Sequence, residues 1–91
     1  MRVIVKAMIY CDEPQHVYKS LRKEFDTDIA LVPGMHLEDA AWPDDEVEIV
    51  GASVCPDEPY LMLALADQPE HFPNKEACAK REEQLQACGW S

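Results

Sequence analysis

Residues 2–10 alternate as only a strand does: Val3, Val5, Ala7 and Ile9 fall on one side, with Arg2, Ile4, Lys6 and Met8 on the other. In a chain of 91 residues a strand that apolar on one face must organise the only core there is room for, so the sequence specifies one domain and excludes large multilayer enzyme folds. The 47% of hydrophobic residues supply that core, and together with 29% charged residues they argue against intrinsic disorder.

The rest of the chain reads as short elements divided by proline and glycine. Asp12-Glu13-Pro14 offers an acidic start with Pro at a first helical position. Val17, Tyr18, Leu21 and Phe25 then form a stripe that predicts a helix over 14–25, with Lys19, Arg22 and Lys23 facing elsewhere. A short second strand is expected over 28–32, followed by a type II turn at Pro33-Gly34. Residues 35–45 read as a long loop, or a loop with one irregular strand, ending in the turn residues Trp42-Pro43-Asp44-Asp45. Alternation resumes over 46–54, with Gly51 a candidate bulge. Residues 55–59 connect to an apolar run at 60–66 that suits a central strand and is also compatible with helix.

Pro69 and Pro73 bracket a loop, and Asn74 caps a last helix running to about Cys88. Gly89 then occupies the left-handed position after the helix, which makes Leu85 and Trp90 the apolar pair of a Schellman ending. The expected fold is a small α+β sandwich in the order β-α-β-(loop)-β-β-α, a mainly antiparallel sheet with two helices on one face.

Most reaction chemistry lacks its residues. The three glycines are far apart, so neither a dinucleotide fingerprint nor a phosphate loop exists, and zinc-protease, calcium-loop and serine-elbow patterns are missing. No two of the four cysteines are spaced as C-x-x-C, and they read as thiols: Cys55, Cys78 and Cys88 as small buried residues, Cys11 as disfavoured for thiolate chemistry by Asp12 and Glu13. His36, beside Glu38 and Asp39, reads as a solvated loop histidine rather than a metal ligand. No catalytic residue, metal or cofactor is expected, nor is a membrane span, and the chain reads as cytoplasmic.

What departs from the average is charge. Between Lys23 and Lys75 there is no Lys or Arg, while that stretch carries 13 of the 18 acids in a chain of net charge -10. Thirteen carboxylates match the phosphates on about 22 Å of duplex DNA. Unpaired carboxylates repel one another, so such a surface calls for a basic partner or serves solubility. Direct contact with nucleic acid is disfavoured, because the only basic footprint is Lys19, Arg22 and Lys23.

These features point to a non-enzymatic binding protein that engages a basic, nucleic-acid-handling protein or nucleoprotein complex as an inhibitor or mimic. The expected surface is Glu38, Asp39, Asp44, Asp45, Glu46 and Glu48 with Asp57 and Glu58, and Trp42 as anchor. In size and acidity alone the chain is similar to the small acidic inhibitors that phages direct at host nucleases and CRISPR complexes. The alternative is a small regulatory or accessory domain, monomer or dimer, acting through an exposed sheet edge, with its acidity serving solubility. A small enzyme using a carboxylate pair within 38–58 is a third reading.

Overall fold

The computed structural model describes residues 1–54 and 56–91. Its elements are β1 (Arg2–Asp12), β2 (Gln15–Asp26), β3 (His36–Glu38), a 3-10 turn at Pro43–Asp45, β4 (Glu46–Val54), β5 (Tyr60–Leu65), β6 (Glu70–Phe72) and α1 (Lys75–Ala87). The strands form a mixed sheet in the order β2-β1-β5-β4-β3. β1 is antiparallel to β2 and parallel to β5, and β6 lies parallel to β1 beyond the end of β5. Where β5 gives way to β6, the Gln68 side chain fills the gap, accepting a hydrogen bond from the Met8 N–H at 2.7 Å.

The expected two-helix order is incorrect: the segment 14–25 is a strand, and α1 is the only helix among the described residues. The reason is a β-bulge. Tyr10 pairs with Val17 and Ile9 with Lys19, so Tyr18 is an extra residue in β2. The bulge reverses the side-chain phase, placing Tyr18 and then Leu21, Lys23 and Phe25 toward the core side, a spacing that imitates a helical stripe. Pro14, read as a helix start, lies in the two-residue hairpin connection after a cis peptide, the geometry of a type VI turn.

Other expectations are corrected on a smaller scale. Residues 28–32 are irregular rather than a strand, and β6 lies between Pro69 and Pro73, where a loop was expected; over 35–45 the structure takes the alternative of a loop with one short strand, β3. The sheet mixes parallel and antiparallel pairs because β5 and β6 both run alongside β1.

Local expectations are met more closely. Val3, Val5, Ala7 and Ile9 are at most 1% exposed and form the centre of the core with Leu21, Ile49, Leu63 and Leu85. The Pro33-Gly34 turn closes through Met35 N–H to Val32 O, with Gly34 at φ 97°. Residues 60–65 are a strand. The Asn74 carboxamide accepts from Ala77 N–H at 2.9 Å to cap α1. Its far end is a Schellman motif: Trp90 N–H bonds Leu85 O, Gly89 N–H bonds Gln86 O, and Leu85 and Trp90 are both buried.

Small residues let α1 sit close to the sheet. Cys78 and Leu85 are buried against β1 and its neighbours, and the buried Arg81 reaches past them. The chain end returns to the sheet, where Ser91 exchanges two backbone hydrogen bonds with Arg22 on the outer side of β2. The molecule measures 39 × 30 × 21 Å, and no helix among the described residues is long and apolar enough to cross a membrane.

Candidate functional site

The acidic surface is built on the β3–β4 hairpin. Its rungs pair His36 with Glu48 and Glu38 with Glu46, while Val47 and Ile49 turn into the core. Strand alternation therefore puts Glu38, Glu46, Glu48 and His36 on one solvent face. Glu38 and Glu46 stand directly opposite one another, a like-charge pair that costs the hairpin some stability. The His36 Nδ1 lies 3.1 Å from Glu46 Oε1.

The hairpin turn adds two more carboxylates in unusual backbone geometry. Asp45 N–H bonds Trp42 O across Pro43-Asp44, and Asp44 and Asp45 have φ of 61° and 59°. Pro at the second turn position and a left-handed residue at the third are the chemistry of a type II turn, and Asp tolerates that region better than most residues. With Glu38 and Glu46 these aspartates line an open concavity of about 410 Å³.

Two cations, the partly exposed Lys23 and the buried Arg81, hold the base of this loop. Asp39 points inward: its carboxylate accepts from Lys23 Nζ at 2.9 Å, from Trp90 Nε1 at 3.1 Å and from Ala41 N–H at 3.0 Å. Lys23 also donates to Cys88 O at the end of α1, at 2.7 Å. On the other side, Arg81 forms a two-point pair with Glu70 and donates to Ala41 O and Gln84 Oε1. Its guanidinium lies 4.9 Å from the Trp42 ring centre, and Trp42 in turn packs at 5.3 Å on Trp90. A buried carboxylate needs this many donors, since a buried polar group left unsatisfied costs about 1–3 kcal/mol, and more when it is charged.

The residues expected at one surface thus separate into three groups. Glu38, Asp44, Asp45, Glu46 and Glu48 share one exposed corner. Asp39 belongs to the interior, and Trp42 is a half-buried platform whose neighbours Pro43, Glu46, Glu48 and Asp67 border a second concavity of about 340 Å³. Asp57 and Glu58 lie past the opposite end of β4, about 26 Å along the strand from Glu46, where Glu58 borders Arg2 and Arg22. Met35 and Phe72 pack on the core, and Tyr60 pairs with Arg2 at that opposite end.

Acids outside the corner are partly neutralised within the fold. Glu24 meets both Arg2 and Arg22, and Glu70 meets Arg81. At the corner, Glu38, Asp44, Asp45 and Glu48 have no ion pair among the described residues. Asp67, at φ 59°, joins them across Glu46 and Glu48 and was not picked out by the sequence, where it stands alone between an apolar run and Gln68-Pro69. The structural roles of Lys23, Arg81 and Glu70 were also missed, because pairing across elements leaves no local pattern.

No group of three or more His, Cys, Asp or Glu side chains among the described residues is arranged to hold a metal ion. Cys11 and Cys78 are buried and Cys88 partly so; Cys55, expected to be buried, lies outside the described residues. Comparison with protein-family models, with curated proteins and with solved structures finds no match.

Proposed function

We propose that the protein is a non-enzymatic binding module, acting in the cytoplasm, whose acidic corner engages a basic surface on a nucleic-acid-handling protein or nucleoprotein complex and competes there with nucleic acid. The observation that carries this reading is the contrast within one loop: Asp39 and Ala41 are fastened by Lys23 and Arg81, while Glu38, Asp44, Asp45 and Glu48 are exposed and unpaired. A rigid base lowers the ordering cost of binding, and uncompensated carboxylates give the long-range attraction that steers a cationic partner. Trp42 and Pro43 provide an apolar margin beside those charges.

The test is capture from lysate at low and high salt, with bound proteins identified by mass spectrometry. The comparison variant carries Asp44→Asn, Asp45→Asn, Glu46→Lys and Glu48→Lys, since Asn keeps the left-handed turn that Lys would strain. A basic nucleic-acid-handling protein held by the natural chain at low salt, released at high salt and lost from the variant is the expected result. Equal capture by both chains, or binding indifferent to salt, overturns the proposal.

The alternative of sheet-edge pairing has β2 to draw on, a 12-residue border strand. Its outer side is occupied at Arg22 by Ser91 and carries charged residues, both of which discourage an added strand. Concentration-dependent sedimentation would favour this reading; a constant monomer mass would remove it.

A further inference from the structure

Two hollows meet at the Trp42-Pro43 step, on the flank of the acidic corner. One, of about 340 Å³, is bordered by Glu46, Val47, Glu48, Ala66 and Asp67. The other, of about 410 Å³, is bordered by Ala41, Phe72, Arg81 and Gln84. Trp42, Pro43 and Glu70 line both, so these three residues form the ridge between them. The ridge is held from within, since Trp42 packs on Trp90 and on the Arg81 guanidinium, and Glu70 is paired with Arg81.

The hollows differ in chemistry. In the first, Glu48 and Asp67 are exposed and have no ion pair among the described residues, and they share the space with the apolar Pro43, Val47 and Ala66 and the Trp42 indole. Apolar walls with free carboxylates fit a side chain that is apolar along its stem and cationic at its head. Arginine fits better than lysine, because a planar guanidinium bonds carboxylates at two points and stacks on an indole. Arg81 already does both inside the fold, with Glu70 and Trp42. In the second hollow the Arg81 guanidinium is occupied by Glu70, Ala41 O and Gln84, which leaves Phe72, Trp42 and Pro43 to receive an apolar side chain. Peptide groups also face the first hollow: Asp45 O and Ile49 N–H bond residues on the β3 side, so alternation directs Glu46 N–H and C=O to the other side, and β5 ends there with Leu65 opposite Ile49.

We propose that the two hollows are one docking groove for an extended segment of a partner protein, which places an arginine beside Glu48 and Asp67 and a large apolar side chain beside Phe72. The inference rests on the reading of the acidic corner as a partner-binding surface, and names what the partner presents to it. In an extended segment, side chains two positions apart project from the same face, so an arginine and an apolar residue in that relation can straddle the ridge. An extended chain also meets the open peptide groups of β4, which a helix cannot. A second copy of this chain does not supply the segment: Arg2, Arg22 and Arg81 all lie within strands or the helix, and each already meets a carboxylate. The net charge of -10 further sets copies apart.

The experiment titrates the isotope-labelled full chain with two capped peptides, Gly-Gly-Arg-Gly-Leu-Gly-Gly and its reverse, and follows binding by NMR at low salt. At least one peptide should shift the amide resonances of Glu46, Glu48, Asp67 and Phe72 and the Trp42 indole resonance. Citrulline in place of arginine should weaken binding about tenfold, and glycine in place of leucine about fivefold. Glu48→Gln with Asp67→Asn changes two exposed positions, and Asn suits the left-handed backbone at 67. This double variant should bind the arginine peptide about tenfold more weakly and the citrulline peptide as the natural chain does. Equal affinity for arginine and citrulline, shifts confined to surfaces outside the hollows, or arginine binding unchanged in the double variant would each overturn the groove. Salt-sensitive capture of a basic partner from lysate, with both peptides silent at millimolar concentration, removes the groove and leaves the acidic corner standing. Bound peptides without a captured partner support the groove and count against the broader reading alone.

Discussion

Lys23 Nζ lies 2.9 Å from Asp39 Oδ2, joining the border strand β2 to the loop beneath the acidic corner. The carboxylate is almost wholly buried and the ammonium about a third exposed, so the pair is asymmetric: Lys23 can recover water if the contact breaks, and Asp39 cannot. Trp90 and the end of α1 meet at the same two side chains, so that β2, the loop and the chain end share one charged junction.

Asp39→Ala should therefore cost about 2–4 kcal/mol, because it leaves the Trp90 indole N–H and the Ala41 amide without their acceptor. Urea unfolding at neutral pH measures it. The effect of exposed Asp57→Ala should remain within about 0.5 kcal/mol. Equal costs at the two positions would contradict the division of the acids into structural and surface groups.

At the turn, Asp44→Gly and Asp45→Gly should be neutral or stabilise by up to about 1 kcal/mol, since both backbones are already left-handed. Val at either position should destabilise by about 1–2 kcal/mol. Thermal melts of the four single variants decide this, and they separate loss of charge from loss of geometry before any binding is measured.

Hydrogen exchange distinguishes strand from helix over 19–26. Arg22 N–H faces outward to Ser91 O and Thr27 N–H faces inward to Met1 O, so alternation turns Leu21, Lys23 and Phe25 toward β1 and Glu24 and Asp26 away from it. The inward amides and Arg22 should exchange slowly, Glu24 and Asp26 fast. Uniform protection through the segment would indicate the helix that its apolar spacing imitates.

The acid limb of stability should depend on Glu24. A hydrogen bond from Arg2, opposed by desolvation and aided by the charges of Arg2 and Arg22, holds the Glu24 carboxyl below its ordinary 4.5. The unfolded chain takes up that proton first, so the contribution is complete above 4.5 and disappears as pH falls through the lowered folded value. The natural chain should exceed Glu24→Gln in urea midpoint at pH 7, with the gap closing at pH 3; a gap unchanged between the two would contradict the pairing.

What the sequence disclosed follows from how far each signal travels. Asn74, Gly89 and Trp90 act within a few residues of themselves, and the cap and Schellman ending follow from their order alone. β1 was readable because an unbroken alternation runs along it. β2 was not, because Tyr18 interrupts the alternation midway and leaves Leu21 and Phe25 at helical distances. The acidic corner was half legible: the run of carboxylates marked the segment, but nothing in Asp39 itself announces that Lys23 and Trp90 are waiting for it. That depends on topology, as does the removal of Asp57 and Glu58 to the other end of β4.

The bulge at Tyr18 also makes β2 unequally tolerant of different genetic changes. A substitution at an exposed position such as Val17 alters one side chain on a solvent-facing strand. Deleting Tyr18 itself would leave Lys19 and Leu21 opposite Ile9 and Ala7, whereas inserting a residue after Ser20, with the N-terminal half of the hairpin kept in register, would turn Leu21, Lys23 and Phe25 to the opposite face. Lys23 would then leave Asp39, and the loop beneath the acidic corner would lose one of its two cations. Drift in this strand can proceed by replacement, or by loss of the bulge residue, far more readily than by insertion.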